Sequence, residues 1–226
     1  TDGTAIELAP GDPLFHATVG GLGLTGVIAW VEFRAVKIGS AWMDAEDTSF
    51  ASVDGYFELT KSKKDGFEHT MAWVDCLASG SSLGRGIYSC ANWSKLGGFE
   101  PHRELPKLKL PIDAPSFALN PLSMKMFNTA VNTLKGGNGR VSRTHYEPFL
   151  YPLDAIGDWN RGYGPKGFYQ YQCVIPHETA RDAIPDLLQA VRTQRHLALL
   201  GEQGIAFHER DDLKFHRRET LPFHTN

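Results

Sequence analysis

His69-Thr70-Met71-Ala72-Trp73-Val74-Asp75-Cys76-Leu77 and, after the loop Ser79-Gly80-Ser81-Ser82-Leu83-Gly84, Gly86-Ile87-Tyr88-Ser89-Cys90-Ala91-Asn92-Trp93 decide the fold. Both runs carry apolar, β-branched and aromatic residues between glycine- and serine-rich breaks, the pattern of two strands with a long connection. A hairpin-like unit of this kind pairs antiparallel. Upstream, the spacing of Val53, Tyr56, Phe57 and Leu59 predicts a helix that ends in the polar run before Gly66. Downstream, Met124–Leu134 reads as a helix closed by Gly136-Gly137-Asn138-Gly139, and Arg140–Tyr146 as a strand.

Phe168–Ile175 reads as a further strand, and His177–Val191 as a helix with Ala180, Ile184, Leu187, Leu188 and Val191 on its apolar side. Pro185 is expected to kink that helix or to mark a later start. Between the hairpin and the Met124 helix, Pro101, Pro106, Pro111, Pro115 and Pro121 make an ordered, extended loop. At the front of the chain, Asp12 and Pro13 read as the N-cap and first position of a short helix over Leu14–Thr18. That helix runs into Gly20-Gly21-Leu22-Gly23-Leu24-Thr25-Gly26. Val27–Ile38 then alternates as a strand, with Val27, Ala29, Val31, Phe33 and Ala35 on one face. Strands separated by helices and long loops argue for an α+β fold, an antiparallel sheet with helices packed on it, rather than a doubly wound one.

The 226 residues are 42% apolar and 22% charged, enough for one sizeable core or two small domains, and the formal net charge of -3 favours neither nucleic acid nor an acidic membrane. The basic run at Lys61, Lys63 and Lys64 is too short to change that. No stretch approaches the roughly 20 apolar residues of a transmembrane helix. Cys76, Cys90 and Cys173 are widely spaced in apolar or strand-like contexts, which predicts buried reduced thiols and a cytoplasmic setting.

Four places carry candidate chemistry. The glycines of Gly20–Gly26 let the backbone approach a phosphate or a flat ring closely, or serve only as a tight turn. Their order of helix, glycines, then strand is the reverse of the dinucleotide fingerprint. Gln170 and Gln172 lie side by side on one face of their strand, where two amides suit hydroxyl groups, unless that face is merely solvated. Trp73 and Asp75 share a face, an arrangement that suits a docked sugar or ring system or a core tryptophan. Tyr151, Asp154, Asp158, Trp159, Asn160, Arg161 and Tyr163 crowd into one loop, as a functional loop or as a lattice that fixes it. His208, His216 and His224 recur at equal intervals, but Pro222 interrupts them and no metal site is implied.

On Leu14 to Ile28, Ala72-Trp73-Val74-Asp75, and Tyr151-Pro152-Leu153-Asp154 through Trp159-Asn160-Arg161 to Gln170-Tyr171-Gln172, the chain resembles the FAD-linked oxidases of the vanillyl-alcohol-oxidase type. The resemblance implies that residues 1–38 end an FAD-binding domain, that 39–191 form a substrate-binding domain, and that 192–226 are a divergent tail. It further implies backbone contacts to FAD at Gly26, Val27 and chiefly Ile28, with Trp73, Gln170 and Gln172 lining the cavity that faces the flavin ring. Tyr151 lies beside the family's further aromatic position, which Leu150 occupies here. The expected partner is a small-molecule alcohol or sugar substrate, which gives a hydride to the flavin. The family's pyrophosphate-cradling half and its late active-site lysine have no counterpart in the sequence, so weak or absent FAD binding by this chain alone is expected.

Overall fold

A computed structural model describes residues 3–102, 108–115, 120–165, 167, 173–193 and 203–205. The chain divides into two compact units, Thr1–Lys37 and Ile38–Asn226.

In the first unit, Pro13–Thr18 form helix α1, with Asp12 extended before it and Pro13 fixing the first turn. Asp12 Oδ2 accepts from the Ala9 N–H rather than from the helix, so it closes the entering turn. The glycine turn follows, with Gly20, Gly23 and Gly26 at positive φ and Leu22 at φ +54. The strand expected over Val27–Ile38 is not formed. Val27 is 98% exposed, and Val31, Phe33 and Val36 are exposed as well. A strand needs a neighbour to satisfy its N–H and C=O groups. Among the described residues this unit holds no other strand, so the alternation has nothing to pair with.

The second unit is built on a sheet. Strand β1 (Trp42–Phe50) leads to helix α2 (Val53–Lys63), then β2 (His69–Val74) and β3 (Gly86–Trp93). A two-residue strand β4 (Leu108–Lys109) precedes helix α3 (Pro121–Lys135), strand β5 (Asn138–His145) and the short helix α4 (Tyr146–Leu150). Strand β6 (Ile156–Gly157), helix α5 (His177–Thr193) and strand β7 (Gln203–Ile205) complete it. The main sheet runs β5-β1-β3-β2-β7 with every neighbouring pair antiparallel, and β4 pairs β6 separately in parallel. The α+β expectation and the β2–β3 hairpin are borne out.

Three sequence expectations change here. Strand β1, an inner strand of the sheet, went unread because Asp44, Glu46 and Asp47 mask its apolar alternation. Gln203–Ile205 pairs with Ala72–Val74 inside the stretch expected to be irregular, since a backbone ladder needs no side-chain pattern. Of the strand expected over Phe168–Ile175, residues 168–172 lie outside the described residues, and 173–175 form no strand.

One sheet face is sealed by hydrophobic packing. Phe50, Ala72, Val74, Tyr88 and Cys90 meet Val53, Tyr56 and Phe57 of α2 and Ala180, Ile184 and Leu188 of α5. The apolar stripe of α5 falls as its period predicts. Pro185 does not displace its start: the missing N–H costs one helical bond, and burial of Ile184 and Leu188 on either side holds the helix through it.

The other face carries Met43, Ala45 and Ala91 under Phe149 of α4. At its far end α3 is fastened by polar contacts. Asp75, 1% exposed, accepts at Oδ2 from Arg85 Nε (3.0 Å) and Nη2 (2.9 Å). Its Oδ1 accepts from the Leu77 N–H (3.0 Å) and from Asn128 Nδ2 of α3 (2.8 Å). Asn120 begins α3 with a capping box, its side chain accepting from the Leu122 and Ser123 N–H groups. The exit is held where the Ser49 N–H donates to the Gly137 carbonyl at 2.7 Å.

Asp75→Ala is expected to cost about 3 kcal/mol in denaturant unfolding, since it leaves Asn128 and the Leu77 N–H without their acceptor. The loss with Arg85→Ala added should fall well short of the sum of the two single losses, as a double-mutant cycle will measure.

Candidate functional site

Register defines the second face strand by strand. Met71 of β2 lies opposite Ser89 of β3, Ser89 opposite Asp47 of β1, and Asp47 opposite Arg140 of β5. The adjacent row is Trp73, Ile87 and Ser49. On the other side lies the row His69, Ala91, Ala45 and Ser142. Alanine in the middle of that row lets Phe149 descend onto it. The Met71-Ser89-Asp47 row is thus a half-buried, partly polar floor between the alanine row and the Trp73 row. Ser89 Oγ donates to Asp47 Oδ1 at 2.5 Å.

Trp73 is half-buried on this face, and Asp75 follows on the same side, as their spacing predicts. The two have different roles. Both Asp75 oxygens are engaged by Arg85, Leu77 and Asn128, so Asp75 braces the structure, whereas Trp73 keeps exposed ring surface.

Tyr151, 49% exposed, lies directly after α4, with its ring 5.8 Å from His102 and 6.4 Å from Tyr146. Tyr146 in turn stands 6.2 Å from Trp93, which stands 5.6 Å from His69, so aromatic rings line one side of this face. His102 Nδ1 and His145 Nδ1 approach the two oxygens of Glu147 at 3.2 and 3.0 Å. Burial, and then the nearby Glu147 carboxylate, push the Tyr146 phenol above its ordinary pKa. The sequence reading missed this His-Glu-His grouping because its members sit 43 and 2 residues apart, at no recognisable ligand spacing.

The crowded loop is a lattice that fixes itself. Arg161 Nη1 donates to the Pro111 carbonyl at 2.7 Å, Lys109 pairs with Asp158 at 3.3 Å, and Trp159 packs edge-on against Tyr163 at 5.6 Å. Asp158 has φ +54, a left-handed conformation that short polar side chains tolerate.

Gln170 and Gln172 lie outside the described residues, as do His208, His216 and His224. Among the described residues no group of three metal-ligating side chains converges. Gly26, Val27 and Ile28 belong to the first unit; Gly26 has φ +148, and Val27 and Ile28 are exposed. No described backbone hydrogen bond uses these three residues, so their N–H and C=O groups are open to a flat polar edge. That fits the rim of a flavin ring. Among the described residues, no glycine turn leads into a helix N-terminus of the kind that cradles a pyrophosphate.

An antiparallel sheet with helices packed on it is consistent with a domain of an FAD-linked oxidase, and the chain resembles part of one such protein. It is similar to the decaprenylphosphoryl-beta-D-ribose oxidase of Mycolicibacterium smegmatis (strain ATCC 700084 / mc(2)155), with 32% identity over 197 residues, 80% of this chain and 42% of that protein. An uncharacterized protein in the mprA 5' region of Streptomyces coelicolor is 32% identical over 85 residues, 38% of this chain and 23% of its own length. The chain therefore spans less than half of either relative. No family model matches the chain. No described helix is long and apolar enough to cross a membrane.

The cysteines divide against expectation. Cys76 and Cys90 are buried, but Cys173 is exposed, because the strand expected to bury it is not formed at 173–175. Burial pushes the Cys76 thiol from 9.0 to about 11 and the Cys90 thiol to about 12. At pH 8 a thiol reagent should therefore modify one cysteine in the native protein and all three after denaturation. Folded pKa values above the unfolded ones stabilise the protein fully below about pH 9, and that contribution is lost as pH rises toward 11 and 12. Unfolding free energy measured across that window should fall as pH rises.

Proposed function

We propose that the second unit is the substrate side of an FAD-dependent oxidoreductase that oxidises an alcohol carbon of a sugar or polyol. The observation that supports this reading most directly is Trp73, an aromatic plane with exposed surface beside a half-buried polar row, on a chain related to an oxidase of a ribosyl lipid. An indole plane packs against the C–H face of a sugar ring while polar groups beside it take the hydroxyls. Trp73 would hold the ring and keep water from that side. Gln170 and Gln172 would orient its hydroxyls, as the resemblance implies.

When bound, FAD supplies the two-electron acceptor: the carbinol hydrogen leaves with its electron pair, the hydroxyl proton leaves separately, and a carbonyl results. Gly26, Val27 and Ile28 would serve that cofactor through their open backbone groups. By likeness to the mycobacterial relative, the reacting sugar is a β-D-ribosyl group. A cytoplasmic setting is part of the same proposal.

A second reading, a sugar-binding module without redox chemistry, rests on the same half-buried polar row beside Trp73, which can take a ring without a cofactor. Flavin absorbance of the purified protein separates the two. A yellow protein whose colour a ribosyl substrate bleaches anaerobically supports the oxidase, whereas a colourless protein that still binds pentose supports the module. In a flavin-containing form, Trp73→Ala should lower kcat/KM about tenfold, the equivalent of about 1.4 kcal/mol of ring packing, with a smaller change in melting temperature. Gln170→Ala and Gln172→Ala should likewise lower turnover far more than stability. Equal losses of activity and stability would sink those role assignments.

A further inference from the structure

We propose that Asp47, oriented by Ser89, is a specificity-determining residue that accepts hydrogen bonds from the sugar's hydroxyl groups; this rests on the reading of the Trp73 face as the sugar site. Three independent observations converge on Asp47. Register places it in the half-buried row beside the row of Trp73, one row (roughly 7 Å) along the sheet and, with β3 between β1 and β2, two strand spacings (roughly 10 Å) across it. Both side chains rise from the same face, so a sugar ring lying over Ser89 and Ile87 would be flanked by the indole on one side and the carboxylate on the other. Ser89 Oγ donates to Oδ1, which fixes the carboxylate and leaves Oδ2 without a partner among the described residues.

The third observation is backbone. The pairing of β1 with β5 slips between Asp47 and Thr48: Asp47 faces Arg140, Thr48 faces Asn138, and Gly139 is left as the extra residue at φ +74. A bulge with glycine in the left-handed region bends the strand and re-aims the side chains beside it, and such bulges concentrate next to functional sites. It falls at the one carboxylate on this row.

The chemistry selects neutral, hydroxyl-rich rings. A carboxylate only accepts, so it suits hydroxyl donors and disfavours a carboxylate or phosphate at the same place. A fixed carboxylate oxygen in this half-buried row also discriminates a sugar from its deoxy analogue, because removing the hydroxyl leaves the acceptor without that partner.

The test titrates the intact chain with free D-ribose and then 2-deoxy-D-ribose, following the Trp73 indole and the Asp47 and Ser89 amides by NMR. D-ribose should shift all three signals. Asp47→Asn should weaken binding at least about tenfold and Ser89→Ala by a smaller factor, while Asp44→Asn, on the opposite face of the same strand, should leave it unchanged. If D-ribose shifts the Trp73 indole with the same affinity in the wild type and in folded Asp47→Asn, the Asp47 assignment fails and the sugar-site reading stands. Wild-type signals unmoved by D-ribose overturn both. Should Asp47→Asn lose the dispersed spectrum of a folded protein, Ser89→Ala decides: unaltered affinity there overturns the proposal.

Discussion

The Asp75 carboxylate joins the parts of the second unit that hydrophobic burial does not. It closes the turn after β2 through the Leu77 N–H, clamps the start of β3 through Arg85, and holds α3 through Asn128. A carboxylate this buried is tolerable only because four donors meet it. The join also explains an inversion in α3. Leu122, Met126 and Leu134 are exposed, while Asn128 is fully buried against the sheet end. Geometry rather than apolar area sets where that helix lies, and geometry of this kind holds its neighbour Trp73 in a defined place.

The two sheet faces then follow different physics. Under α2 and α5 the large side chains interlock, so that face supplies most of the apolar burial. The second face is covered at its ends, by Phe149 at one and by the α3 fastening at the other, and its middle row carries an acid, a hydroxyl and a thioether. Such a row would be a poor core. As the floor of a site it supplies acceptors that a solvent-facing surface would leave mobile.

Much of this was legible from local pattern. The β2–β3 pair and the helices α2 and α5 were visible because each buries one face against neighbours in the same chain, so period and burial agree, whereas α3 was legible from the glycines that close it although its apolar Leu122, Met126 and Leu134 are exposed. Val27–Ile38 failed for the opposite reason: its alternation is sound, but among the described residues the unit that holds it offers no partner strand. Strand β1 was hidden by Asp44, Glu46 and Asp47, of which two face the α2 side, where Arg143 and Lys63 neutralise them. Trp73 lies half-buried on the face that its alternation with Asp75 indicates. Its companion Asp75 was structural, because the partners that saturate it lie 10 and 53 residues away and no local spacing reveals them. Ser89 and Asp47 were invisible for the same reason, being 42 residues apart and brought together only by register.

Register is therefore where sequence becomes chemistry in this fold. Successive residues of β1 point to opposite faces, so a slip of one residue would carry Glu46 or Thr48 onto the row now held by Asp47 and would turn Asp47 into the packed side. Two features oppose that slip. Met43 and Ala45 are locked under Phe149, and Phe50 under α2, which fixes the alternation from both ends of the strand. Gly139 absorbs the mismatch with β5 at the single point where it arises, in a conformation that L side chains rarely adopt and with Glu46 Oε1 only 3.1 Å from where a Cβ would sit. A side chain at that position would push on the bulge and on the Glu46 that pairs with Lys63. The conformational freedom of one glycine thus bears on which carboxylate this face presents.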